Sequence, residues 1–227
     1  MSKSELNIPA LAPLVEPVPR AERVYEALLN GIIQGELAPG AQLNADNVAQ
    51  QLKVSTTPVR DALNHLVKDG LVLKLPYQGW FVSRFQEREV RDIYEMRAGL
   101  ECFSVRLACE RITPVEIEWL RAHQATGEAA LAREDMETYR QYNQELHAAI
   151  MRAARNSQLP AVVGQISLKT QMLTAKTIRL GGRPSRAVQE HRRLIDLIAA
   201  RDARAAQELT QVHILSALED ILRHGLG

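Results

Sequence analysis

The sequence predicts a mainly α protein in two parts: an N-terminal winged helix-turn-helix and a C-terminal antiparallel bundle of six or so helices. Three observations lead there. The run Val54-Ser55-Thr56-Thr57-Pro58-Val59-Arg60-Asp61-Ala62-Leu63 lies between two short helical patterns, and a turn and a short strand pair follow it. From about Gln86 onward the apolar spacing is almost entirely helical. Gly and Pro are few there, and the prolines with Gly181-Gly182 fall at joints: Thr113-Pro114, Asn156 with Pro160, Gly181-Gly182 and Pro184. These patterns divide the chain into a flexible tail over 1–17, a winged helix over 18–84 and a helical domain over 85–227.

The elements follow in order. Val24, Leu28, Ile32 and Ile33 have the spacing of one buried helical face, and Gly35 with Pro39-Gly40 ends that helix. A short second helix starts after Asn44, whose side chain accepts free N–H groups of the first turn, and buries Val48, Ala49 and Leu52. Lys53-Val54 forms the tight turn. The third helix opens at Ser55 or Thr57, with Pro58 tolerated because a first-turn N–H has no partner anyway. Its inner face is Val59, Leu63, Leu66 and Val67, which leaves Thr56, Thr57, Arg60, Asn64 and Lys68 on the side that enters a major groove. Asp69-Gly70 stops it. Leu71 to Lys74 and Trp80 to Val82 read as strands around Pro76-Tyr77-Gln78-Gly79, and this hairpin is the candidate wing. Gly79 lets the backbone approach a minor-groove phosphate closely. The candidate DNA contacts are therefore Ser55, Thr56, Thr57, Arg60 and Asn64, with Gln78 and Gly79 on the wing. Helices are expected at about 86–111, 114–133, 135–154, 158–180, 185–200 and 202–224, with Arg84-Phe85 as the hinge. Six antiparallel helices enclose an interior large enough for a ligand.

Composition narrows the class. The chain has 227 residues and a net charge of +1, so as a whole it is no polyelectrolyte binder. Residues 50–84 are locally basic: Lys53, Arg60, Lys68, Lys74 and Arg84 face only Asp61 and Asp69. Binding should therefore require two such heads, and a homodimer on double-stranded DNA with two-fold symmetry supplies them. Cys102 and Cys109 share a helix face about 10 Å apart at 1.5 Å rise per residue, too far for a disulfide, which suggests reduced core cysteines in a cytoplasm. No apolar run approaches the ~20 residues of a membrane span.

The histidines carry the chemistry. Asn143 and His147 are four apart on one helix and project from the same face. His191 lies on the next-to-last helix and His213 midway along the last, each on its helix's apolar stripe. Three neutral imidazoles plus an amide oxygen suit zinc, nickel or another borderline divalent ion, with positions left open for water or an anion. The plainer alternative makes each His a separate hydrogen-bonder at the core edge.

Gly35-Glu36-Leu37-Ala38-Pro39-Gly40, the run Val54 to Leu63, Asp69-Gly70-Leu71-Val72 and Gly79-Trp80-Phe81-Val82 together resemble the GntR family of bacterial transcription regulators. Members commonly carry Arg where this chain has Thr56, which implies an operator different from the usual one, while Arg60 fits the family's second Arg. A surface pair with Asp61 or a phosphate-facing charge is the alternative for Arg60. Arg97 to Glu101, Asn143 to His147 with Asn156, Glu190-His191 with Ile195, Ile198 and Asp202, and His213 resemble the all-helical effector-binding domain of the FadR-type branch, the version called the FCD domain. The resemblance implies a metal held by Asn143, His147, His191 and His213, with Asn143 standing where many members have Asp. An uncharged amide leaves the site more positive, which favours an anionic effector. A small carboxylate matches a metal with open positions, and family members commonly respond to organic or sugar acids. Arg97 is the candidate second anchor, its alternative being an ordinary pair with Glu101. Helical spacing alone puts Thr170, Gln171 and Thr174 either on the wall of the same pocket or on the surface, and His65, His123 and His224 have no partners at metal-ligand spacing. The expected function is thus a ligand-responsive transcription regulator. Two alternatives remain: a regulator with a structural metal or none, and a His-metal enzyme. Against the enzyme stand the absence of a Ser or Cys nucleophile signature and the winged helix, for which a catalyst has no use.

Overall fold

The computed structural model describes residues 19–177 and 182–224. The tail expected over 1–17, the end of the helix expected to reach 180 and the joint at Gly181 lie outside the described residues.

The N-terminal part is three helices and a small sheet. Helix α1 (Arg20–Gln34) ends at Gly35, where φ of 79° lets its N–H return to the Ile32 carbonyl. Helix α2 (Ala45–Leu52) is capped by the Asn44 side chain, which accepts from the N–H groups of Asp46 and Asn47. The left-handed Lys53 (φ 54°) then turns the chain into α3 (Thr56–Lys68), which starts after Ser55 without a side-chain cap. The hairpin strands are β2 (Val72–Leu75) and β3 (Gly79–Val82), paired antiparallel with Val72 opposite Val82. A further strand, β1 (Gln42–Leu43), pairs with β3 and puts β3 in the middle of the sheet. Two residues are too short for an alternation pattern, so the sequence reads as a loop there.

Leu52 corrects an expectation. It is 40 % exposed rather than buried, because α2 is two turns long and its inward stripe is Ala45 and Ala49. Leu52 sits instead in a shallow surface depression beside Val24 and Ala27.

Val24, Leu28, Ile32, Val59, Leu63, Leu66, Val72 and Val82 form the core of this part. A residue from far along the chain joins them: Met172, with Leu168 packed alongside.

Six further helices follow among the described residues: α4 (Glu87–Arg111), α5 (Pro114–Ala132), α6 (Met136–Ala153), α7 (Leu159–Thr177), α8 (Arg183–Ala199) and α9 (Ala203–His224). Capping boxes at Gln86/Glu89 and Thr113/Glu116 set the starts of α4 and α5, and the Asp135 carboxylate caps α6. Their interior is built on Val105, Ala108, Leu120, Tyr142, Leu146, Leu194, Ile195 and Ile198. The first bundle helix, α4, packs along the last, α9, through Val90, Tyr94, Ile214 and Leu218. The link from wing to bundle is only residues 83–86, and Phe85 within it packs against both the head's core and the α4–α9 seam. No described helix is long and apolar enough to cross a membrane. Cys102 and Cys109 are both free thiols.

Candidate functional site

The buried face of α3 fixes what the helix presents outward. Val59, Leu63 and Leu66 have 0 % exposure, so Thr57 and Arg60 are turned to solvent, Thr56 and Asn64 lie half-buried at the helix flank, and Ser55 is exposed at its start. On the wing, Gln78 is exposed and its carbonyl accepts from the Gln42 Nε2 at 2.8 Å. Gly79 adopts φ of 97°, open to glycine and costly to other residues. Tyr77, at the wing tip, was not among the expected contacts. It is fully exposed and held at φ of 62°, a rare backbone state for an aromatic residue. Its only signal in the sequence was its place in a turn.

The second site lies where α6, α8 and α9 meet. His147, His191 and His213 come together with one nitrogen of each within 4.8 Å of the others. His191 has 0 % and His213 5 % exposure. Each Nδ1 has its own partner. His147 Nδ1 lies 2.7 Å from the Glu101 carboxylate, and His213 Nδ1 lies 2.6 Å from that of Glu190. His191 Nδ1 lies 3.0 Å from the Tyr142 hydroxyl.

Local chemistry fixes the proton on that last contact. Gln124 Nε2 donates to the Val188 carbonyl and to Glu128, so its Oε1 faces Tyr142 and accepts the hydroxyl proton. The Tyr142 oxygen is then an acceptor, and His191 donates to it through Nδ1–H. A carboxylate selects the same tautomer in His147 and His213. All three Nε2 atoms therefore carry free lone pairs. Those of His191 and His213 face each other at 3.3 Å, and that of His147 is buried without a hydrogen-bond partner.

Electrostatics keep the His191 and His213 imidazoles neutral. Burial, and then the neighbouring imidazoles and Arg183, push the His191 and His213 pKa values well below 6.5. Two lone pairs at that separation repel unless a cation lies between them, and an orphaned Nε2 costs free energy in a dry site. The donor set thus fits a divalent ion: three neutral imidazoles, each oriented by an outer hydrogen bond. Such an ion would supply a fixed positive charge at the cavity.

Asn143, one turn before His147, lines the cavity beside that cluster together with Arg97, Thr170, Gln171 and Thr174. Arg97, Asn143 and Thr174 also border a smaller recess that reaches His213. The alternatives posed for Arg97 are not exclusive, since its Nε donates to Glu101 at 2.6 Å while the residue still lines the cavity. Glu101 thereby ties Arg97 to His147. Burial alone would raise its carboxyl, but the Arg97 guanidinium and the His147 imidazole outweigh burial and hold it well below the usual carboxylate range. Glu101, Glu190 and Tyr142 were not expected as site residues. The two glutamates had a signal, lying next to a histidine or four residues from Arg97, whereas nothing in the spacing relates Tyr142 to His191 on another helix. The other histidines lie outside the cluster: His65 stacks on Tyr25, His123 stacks on Trp119 with its Nε2 3.2 Å from the Tyr142 carbonyl, and His224 contacts the Asp220 carbonyl.

Comparison with known proteins places both parts of the chain in one family. Residues 92–216 match the FCD domain, and residues 20–82 match the bacterial regulatory proteins of the gntR family. The chain is 30% identical over 188 residues to the Nta operon transcriptional regulator of Aminobacter aminovorans, across 81% of this chain and 86% of that protein. It is 35% identical over 116 residues to the HTH-type transcriptional regulator McbR of Escherichia coli K12, across 51% of this chain and 52% of that one. The solved structure of E. coli McbR/YncC superposes with a TM-score of 0.80 at 23% identity, over 92% of this chain and 99% of that one, which shows a shared fold.

Proposed function

The chain belongs to the GntR family of bacterial transcription regulators and carries an FCD domain, and from that premise we propose that it is a cytoplasmic homodimer whose grip on a palindromic operator is set by a small carboxylate. Its relatives are named as regulators, and it is a regulator rather than an enzyme. In this reading residues 18–84 read DNA through Ser55, Thr56, Thr57, Arg60 and Asn64 of α3, with Gln78 and Gly79 on the wing, and residues 85–227 hold the sensor and the dimer contacts. Asn143, His147, His191 and His213 hold a divalent ion, zinc or nickel by ligand type. Arg97, steadied by Glu101, provides a second positive group for the carboxylate.

The observation that carries this reading is the convergence of three Nε2 lone pairs, each with its opposite nitrogen held, beside a cavity. Helix α7 suits the regulatory part. Its Ser167, Thr170 and Gln171 line the cavity, while Leu168 and Met172 pack into the core of the DNA-binding head. An effector that binds the two arrangements of α7 unequally changes operator affinity by that difference, typically ~1–3 kcal/mol.

The test is elemental mass spectrometry on protein purified without chelator or nickel resin, beside the His147→Ala, His191→Ala double mutant. About one divalent ion per chain in the wild type and loss in the mutant is expected. No metal in the wild type, or equal metal in both, would sink the ligand assignment.

A further inference from the structure

We infer that the effector is an apolar monocarboxylate, alkyl or aryl, whose hydrocarbon part lies against α7 at the end of the cavity away from the histidines. The inference rests on the carboxylate reading above and names the rest of the molecule.

The cavity between α4, α6 and α7 has a volume of about 390 Å³, and its walls change character along its length. Arg97, Asn143, His147 and Thr170 form one end, while Leu100, Ala148, Met151, Val163 and Ile166 form the other, with the exposed Arg152–Glu145 ion pair at its rim. Helix register produces this gradient. On α6, Asn143, His147 and Met151 succeed one another a turn apart, so the polar and apolar ends are eight residues, about 12 Å, from each other. Helix α7 returns antiparallel after a short connection and repeats the order in reverse, from Val163 through Ile166 to Thr170. The two helices thus place polar beside polar and apolar beside apolar.

That arrangement selects among carboxylates. Hydroxyls of a sugar acid placed against Leu100, Met151 and Val163 would exchange water for side chains that offer no hydrogen bond. A hydrocarbon chain or ring gains there by leaving water. Gly164 marks the same end. It lines the cavity within α7, and a β-carbon built on it meets nothing within 4 Å. Glycine is unfavourable inside a helix and no neighbour here requires it, so the missing side chain leaves its volume to the cavity.

The experiment is isothermal calorimetry on the full-length protein with acetate, butyrate, hexanoate, octanoate and phenylacetate, with gluconate as polar control and hexanamide as uncharged control. Affinity should rise about fourfold per methylene from butyrate to hexanoate, with gluconate no tighter than acetate. Gly164→Leu should weaken hexanoate at least tenfold and leave acetate within twofold. Gly164→Ala should unfold at or above the wild-type temperature and bind hexanoate within about threefold, which separates filled volume from damaged helix. Equal affinity for acetate and hexanoate, or an equal loss for both in Gly164→Leu, overturns the apolar end while leaving the carboxylate reading intact. If hexanamide binds as well as hexanoate, the carboxylate reading fails and the apolar site stands. Binding of neither overturns both.

Discussion

Gly127 on α5 faces the ring of Tyr142 so closely that a β-carbon there would lie 2.4 Å from its Cδ1. A glycine on one helix therefore decides where a tyrosine on another can sit, and that tyrosine accepts the Nδ1 proton of His191. The Tyr142 hydroxyl is itself anchored by Gln124, and burial raises its pKa far above the ordinary value, so it remains a neutral hydroxyl at any working pH. Gly127→Ala should force the ring to move, costing ~1–3 kcal/mol of stability by overpacking. Metal affinity should fall ~10–100-fold in Gly127→Ala and in the near-isosteric Tyr142→Phe, as outer partners of metal-bound histidines generally do when removed. Competition against a chromogenic chelator, read beside thermal unfolding, checks both. Unchanged metal affinity in Tyr142→Phe would show that the hydroxyl does not orient His191.

At the scale of elements, α7 has no exposed residue from Ile166 to Thr174 because that stretch serves both the bundle and the head. Leu173 packs in the α4–α9 seam, Met172 is buried in the core of the head, and Thr170 lies toward the cavity. Gly70, at the turn after α3, comes close enough to α7 that a β-carbon would meet the Lys169 side chain at 2.7 Å. Met172 touches the head but does not line the cavity, so its truncation separates coupling from ligand binding. Met172→Ala should cost ~2–5 kcal/mol of stability. It should also shrink the effect of a bound carboxylate on DNA affinity, with the carboxylate's own dissociation constant within about twofold of wild type. DNA fragments enriched by the wild-type protein from a random pool, titrated with and without hexanoate, give the readout. Full retention of the effect would remove α7 from the coupling route.

For the whole molecule, the histidine cluster ties stability to pH. His191 and His213 have folded pKa values well below 6.5, burial being the main cause. The unfolded chain takes up those protons as pH falls below 6.5, and the folded protein does not until each lowered value is reached. Stability is therefore highest above pH 6.5 and is lost as pH falls, by up to about 1.4 kcal/mol per pH unit for each imidazole. Glu101 acts in the same direction further into acid, because Arg97 and His147 hold its folded carboxyl well below the ordinary carboxylate range. Metal-free protein should show a melting temperature that drops between pH 7.5 and 5.5, with a shallower slope in His213→Gln. Parallel slopes for the two proteins would mean that His213 is not the titrating group. A bound divalent ion, which requires neutral imidazoles, should raise the curve at pH 7.5 and lose its effect toward acid.

The sequence by itself determined the head and the helical scaffold. Periodicity, the Asn44 cap, Gly35, Asp69-Gly70 and Pro114 are local signals, and the elements they specify have bounds within a few residues of those expected, because capping and backbone restriction act within a turn of the residue that causes them. It missed β1, which is held as a strand by its pairing with β3 rather than by its own pattern, and it buried Leu52, whose environment depends on how α2 meets α1. Resemblance pointed to His147, His191 and His213 one at a time. Their meeting across α6, α8 and α9, the glutamates and tyrosine that fix their tautomers, and the reach of Met172 into the head were decided only by tertiary structure. The reason is physical: spacing along a helix sets which face a side chain shares, while the rotation and offset of one helix against another come from packing that no single segment encodes.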